Sequence, residues 1–140
     1  LARVLAHGVE DSAYKIMEIS ITLETKTLHD IERFLETRPK RTREELNKAV
    51  ESTVNLVKRN ARLKVPVDTG HLKSRIKSRT FESKLAGEVF SVVRYAIPVH
   101  ENLRARHKIG GAKYLKRAID ENKSKINKYF ERAMSNTLKR

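Results

Sequence analysis

Cysteine is absent from the 140 residues, which excludes a disulfide framework, a thiolate metal site and a cysteine nucleophile, and fits synthesis in a reducing cytosol. Tryptophan is absent as well, and aromatic residues are only 6% of the chain, so a surface that reads single-stranded nucleic acid by stacking is poorly provided for. The five glycines form neither a phosphate-cradling Walker loop nor a dinucleotide fingerprint. Apolar runs such as Val92-Val93 and Val65-Pro66-Val67 are far too short to span a bilayer, and no signal-peptide pattern opens the sequence. The expectation is a soluble protein with no membrane partner.

What the sequence has in excess is positive charge. Lysine and arginine number 31 against 17 acidic residues, for a net charge of +14. Residues 1–70 hold 13 basic and 11 acidic side chains, whereas residues 71–140 hold 18 and 6. A field concentrated in one half favours a polyanionic partner, nucleic acid or an acidic protein surface ahead of a membrane face, although surplus cations also serve solubility alone.

The length and the 39% hydrophobic content suit one modest core. Met17 precedes Glu18-Ile-Ser-Ile-Thr-Leu23, an alternating strand pattern that suits the start of a domain. Residues 1–16 are then an N-terminal arm or a cloning remnant, with apolar spacing compatible with a short amphipathic helix, and 17–140 form a single α+β domain. Leu28, Ile31, Phe34 and Leu35 give a first helix over 28–36, closed by the basic hinge Arg38-Pro39-Lys40-Arg41. Thr42-Arg43-Glu44-Glu45 reads as a capping box. From it Leu46, Ala49, Val50, Thr53, Val54, Val57 and Ala61 follow one helical face, which must end before Pro66. Runs at 72–81 and 86–93 read as a hairpin, 94–103 as a short turn or helix, and 104–111 as a basic loop closed by Gly110-Gly111. A final helix over 112–135 carries Leu115, Ala118, Ile119, Ile126, Phe130, Ala133 and Met134. The expected architecture is α+β, with two long helices, near 42–64 and 112–135, packed on a small antiparallel sheet.

No catalytic, metal or cofactor site emerges from the sequence. His100, Glu101 and His107 are close along the chain, but a helical zinc site needs two histidines four apart around a glutamate. Neither Ser74 nor Ser91 lies in a nucleophile elbow, and Asp68 with His71 lacks a third member of a triad. Two other features stand out. Pro66, Asp68, Thr69 and Gly70 have the chemistry of a structural turn: proline fixes φ, Asp and Thr bond nearby amides, and Gly70 accepts positive φ. Lys73, Arg75, Lys77 and Arg79 alternate with Leu72, Ser74, Ile76 and Ser78, and on a strand the four cations share one face. Such a row repels itself, which calls for an anionic partner, DNA or protein, unless it is simply a solvated face.

The order of these features resembles the tail-completion, or minor head–tail component, family of long-tailed bacteriophages and prophages. The resemblance runs through the Pro66–Leu72 turn, the segment Tyr95-Ala-Ile-Pro-Val99-His100-Glu101, and Tyr114-Leu-Lys-Arg-Ala118, across about residues 42–130. It implies a structural protein of the virion neck or tail end, assembled in the host cytoplasm. There it would form a ring of identical subunits, a hexamer, between connector and tail proteins, with double-stranded DNA in the channel. It implies no cofactor, no metal and no catalytic residue. The competing reading is a free basic nucleic-acid-binding protein, which the sequence weakens by offering no helix-turn-helix signature. A hydrolase or toxin-like nuclease built on His100, Glu101 and His107 is the remaining class.

Overall fold

The computed structural model describes residues 3–8, 25–68, 70–91 and 93–139, with 3–8 and Ile97 described by backbone alone. Helix α1 (Thr25–Thr37) and helix α2 (Pro39–Lys64) are separated by the single residue Arg38. Proline at the first helical position gives up only an amide that has no helical acceptor, and its φ is already helical, so α2 begins at Pro39.

This corrects the capping-box reading, because Thr42 lies inside α2 rather than before it. Its hydroxyl is fully buried and is shared between the carbonyls of Phe34 (2.9 Å) and Arg38 (2.7 Å), pinning the α1–α2 corner. Glu45 turns elsewhere, accepting from Lys48 Nζ at 2.7 Å and Asn136 Nδ2 at 3.2 Å. Thr42→Val, which keeps the shape and removes the donor, is expected to cost about 1–2 kcal/mol in urea unfolding. Glu45→Ala should cost under about 1 kcal/mol, as for an exposed ion pair. Equal losses in the two variants would restore the capping box.

The apolar stripe of α2 is buried as its spacing predicts, from Leu46 through Val50, Val54 and Val57 to Ala61. The helix stops where expected, with Val65 extended (φ −64°, ψ 141°) ahead of Pro66. Against this stripe lies a hairpin of β2 (Ile76–Phe81) and β3 (Ala86–Ser91), antiparallel, with Ile76 opposite Ser91 and Phe81 opposite Ala86. Gly87 of β3 faces α2 so closely that a Cβ there would sit 2.4 Å from Val54 Cγ1. Its inner-face neighbours Ile76, Val89 and Ser91 are buried accordingly. The opposite face carries Lys77, Arg79, Phe81, Glu88 and Phe90.

Residues 3–8 form β1 (Arg3–Gly8), parallel to β3, where the apolar spacing of the arm suggested a helix. Pairing along β3 satisfies backbone groups that the hairpin leaves open on that side, giving the order β1-β3-β2. The strand expected at 18–23 lies outside the described residues.

The expected helix over 112–135 is two helices, α5 (Tyr114–Asp120) and α6 (Lys123–Leu138). Asn122 falls on the buried side of the stripe, and its Nδ2 donates to the Ala118 carbonyl at 2.8 Å, competing with helix continuation. Both helices pack on α2. Arg38 and Arg41 from the basic hinge donate to the Thr137 and Asn136 carbonyls at the end of α6, where a cation meets the negative end of the helix dipole. The fold is therefore α+β, long helices packed on a small sheet whose hairpin is antiparallel.

Candidate functional site

Val65 and Pro66 end α2 against the core, and the chain then turns through Asp68 and Gly70 into one turn of helix, α3 (His71–Ser74). Gly70 has φ +81°, the left-handed conformation its sequence position predicts. Thr69 lies outside the described residues. Leu72 turns inward and is buried, while His71 is exposed, its ring 6.3 Å from that of Tyr95. Tyr95 precedes α4 (Ala96–Glu101), which occupies the segment read as a short turn or helix.

The basic loop after α4 closes back on this turn. Val67 N–H donates to the Ile109 carbonyl at 3.2 Å, and Gly111 N–H donates to that of Lys64 at 2.9 Å. The result is an open groove of about 560 Å³ between the Pro66–Leu72 turn, Tyr95 and Val99, and the loop residues Arg106, His107 and Lys108. Two of the three segments that carry the family resemblance therefore meet at one surface.

The third segment lies behind it. His100 is buried, its Nδ1 2.9 Å from Glu101 Oε1 and its ring edge-on to Tyr114 at 4.8 Å. The Glu101 carboxylate also pairs with Lys113 Nζ, whose backbone N–H donates to the His100 carbonyl at 2.7 Å. His107 lines the groove instead. His100, Glu101 and His107 are thus divided between a buried packing site and an open loop. Among the described residues no group of three or more His, Cys, Asp or Glu is placed to hold a metal ion.

Burial holds the His100 imidazole below the ordinary histidine pKa, against the opposing pull of Glu101. As pH falls below about 6.5 the unfolded chain takes up a proton at His100 that the folded chain refuses, so stability is lost with acidification through that window. The expected result is a lower urea midpoint at pH 5.5 than at pH 7.5, with the difference reduced in His100→Leu. Glu101 is held below its ordinary value, first by its hydrogen bond from Lys113. Its contribution is lost in a separate window, below the ordinary glutamate range. An undiminished pH difference in His100→Leu would place the sensitivity elsewhere.

The cationic row does not lie on one strand. Lys73 belongs to α3, Arg75 caps it, and only Lys77 and Arg79 are on β2. Backbone bonds close the turn locally, Ser74 N–H to the Gly70 carbonyl and Arg75 N–H to those of His71 and Leu72, so the strand begins only at Ile76, with Leu72 and Ile76 both buried. Arg79 pairs with the buried Glu88 across the hairpin and lies over the rings of Phe81 (5.2 Å) and Phe90 (5.1 Å). It is a structural cation on the outer face. Lys73, Arg75 and Lys77 are exposed. Sequence reasoning missed the aromatic setting of Arg79, although Phe81 shares its strand parity and Phe90 lies on the same face across the hairpin, and missed the groove role of Arg106 and Lys108, which no local pattern signals.

A family model described as bacteriophage HK97-gp10 tail-component matches residues 29–106. The chain belongs to this HK97-gp10-like family. The match takes in α1 through α4, the hairpin, the turn and the first part of the basic loop, which agrees with the resemblance read from the motifs. No curated protein and no solved structure matches. Membership makes the chain a phage tail component of structural type, and no helix among the described residues is long and apolar enough to cross a membrane.

Proposed function

We propose that the protein is a tail-completion or neck component of a tailed phage or prophage, assembled as a ring of identical subunits, a hexamer, between connector and tail tube. The family match over 29–106 is the observation that carries this reading. The dispersal of the catalytic-type side chains, described above, supports a role in assembly rather than catalysis. Closed rings are how identical subunits surround a channel. The test is to delete the gene and examine the particles by electron microscopy and mass spectrometry. Filled heads and separate tails are expected, with the protein present at the joint of wild-type virions. Wild-type virions lacking the protein would end the proposal.

Lys73, Arg75 and Lys77 are the cations of the original row left for an anionic partner, and we assign them to the DNA in the channel. Replacing these three by Gln, with Arg79 kept to hold Glu88, should leave the melting temperature within about 2 °C. The slope of log affinity for duplex DNA against log salt should fall by about 2–3. An unchanged slope would make this a solvated face.

A further inference from the structure

The groove beside the basic loop has its own chemistry, independent of any place in the neck. Its floor is apolar, with Leu72 buried and Val99 half-buried, and Tyr95 stands at its wall with 45% of its surface exposed. Arg106 and Lys108 form its rim opposite the single carboxylate Asp68. Residues 94–111 contain Arg94, Arg104, Arg106 and Lys108 against Glu101 alone, and Glu101 is already engaged by Lys113. The loop also holds out Leu103 and Ile109, 75% and 58% exposed, among these cations. Neither lines the groove, but both lie on the loop that forms its rim.

The loop that carries this rim is fixed at both ends. Asn102 Oδ1 accepts from the N–H groups of Arg104 and Ala105 at 3.0 and 3.2 Å, setting the first turn. The backbone bonds from Val67 and Gly111 hold the second. Ordering this surface on binding therefore costs less than ordering a free loop.

We propose that the groove between the Pro66–Leu72 turn and the 102–111 loop is a docking site for an extended acidic segment of another protein. That segment would alternate carboxylates with aliphatic side chains. An extended chain sends alternate side chains to opposite sides, so one set fills the floor over Leu72, Val99 and Tyr95 while the other meets Arg106 and Lys108. Nucleic acid fits less well. A duplex is too wide for a groove of about 560 Å³. A single strand finds only Tyr95 on which to stack.

The experiment is a selection of random dodecapeptides by ribosome display against the full chain near physiological salt, followed by anisotropy titration of the enriched peptides. Enrichment of Asp or Glu alternating with Leu, Ile or Val is expected, with Kd of about 1–100 µM. Arg106→Glu with Lys108→Glu should weaken binding at least about tenfold, and Tyr95→Ala about fivefold, at unchanged melting temperature. The remote reversal Lys128→Glu should leave it unaltered. No enrichment, enrichment of non-acidic peptides, or equal binding by the doubly reversed variant would overturn the assignment. So would a short DNA duplex that binds through Arg106 and Lys108 more tightly than any selected peptide.

Discussion

Gly110→Ala is expected to lower the melting temperature by about 10 °C or more, equivalent to at least about 3 kcal/mol for a chain of this size. Two costs coincide at this residue. Its φ of +78° lies in the left-handed region, which burdens an L side chain by about 1–2 kcal/mol. A Cβ would also fall 2.2 Å from the Val65 carbonyl oxygen and 2.7 Å from that of Lys64. Those are backbone atoms at the end of α2, held by the Gly111 N–H bond to the Lys64 carbonyl, so neither side can yield without breaking that joint. Gly70→Ala separates the two costs. Gly70 has φ +81° and nothing within 4 Å of the added Cβ, so it should lose only the conformational part, about 1–2 kcal/mol. Calorimetry of both variants checks the difference. Equal losses would mean that the loop moves aside freely, and the groove would lose the rigid wall on which its docking role depends.

The parts of this fold legible in the sequence are those fixed by short-range geometry. The stripe from Leu46 to Ala61 has one period and one possible buried face, and Pro66 ends it for a steric reason that no tertiary context changes. Gly70 is similar, since a turn rich in Pro, Asp and Thr leaves glycine the left-handed position. Thr42 is ambiguous because a threonine three residues before a glutamate looks alike at a cap and inside a helix; Pro39 at the first helical position is the stronger signal. The row Lys73 to Arg79 is ambiguous because every-other-residue charge, and the four-residue spacing of Leu72 and Ile76, fit one helical turn followed by a strand as well as a continuous strand; the left-handed Gly70 and the backbone bonds that follow it set the turn. The groove was not legible at all. Its rim at Arg106 and Lys108 lies more than 30 residues from the Pro66–Leu72 turn, joined to it by backbone bonds such as Val67 to Ile109 that leave no trace in side-chain pattern.

Tyr114→Ala is the substitution expected to separate the basic loop from the helical core, with a loss of about 3–5 kcal/mol as for other buried aromatics. Tyr114 is 1% exposed and opens α5 directly after Lys113, a residue at φ +56° that turns the chain out of the loop. Its hydroxyl donates to the Ala96 carbonyl at 3.2 Å, so it ties α5 to the first turn of α4, and its ring covers the face of the site where His100 is buried. Removing the ring leaves a cavity beside an imidazole whose pKa is held down by that burial. Two results are therefore linked. The stability loss should be large at neutral pH, and the additional loss between pH 7.5 and pH 5.5 should shrink, because a wetter His100 accepts its proton at closer to the unfolded pKa. Tyr114→Phe is the companion variant. It keeps the ring and removes one hydrogen bond, so it should cost about 1 kcal/mol and leave the pH difference intact. If Tyr114→Phe proved as damaging as Tyr114→Ala, the hydroxyl bond to Ala96 rather than the packing on His100 would be what joins the two helices, and the pH dependence would have to come from another group.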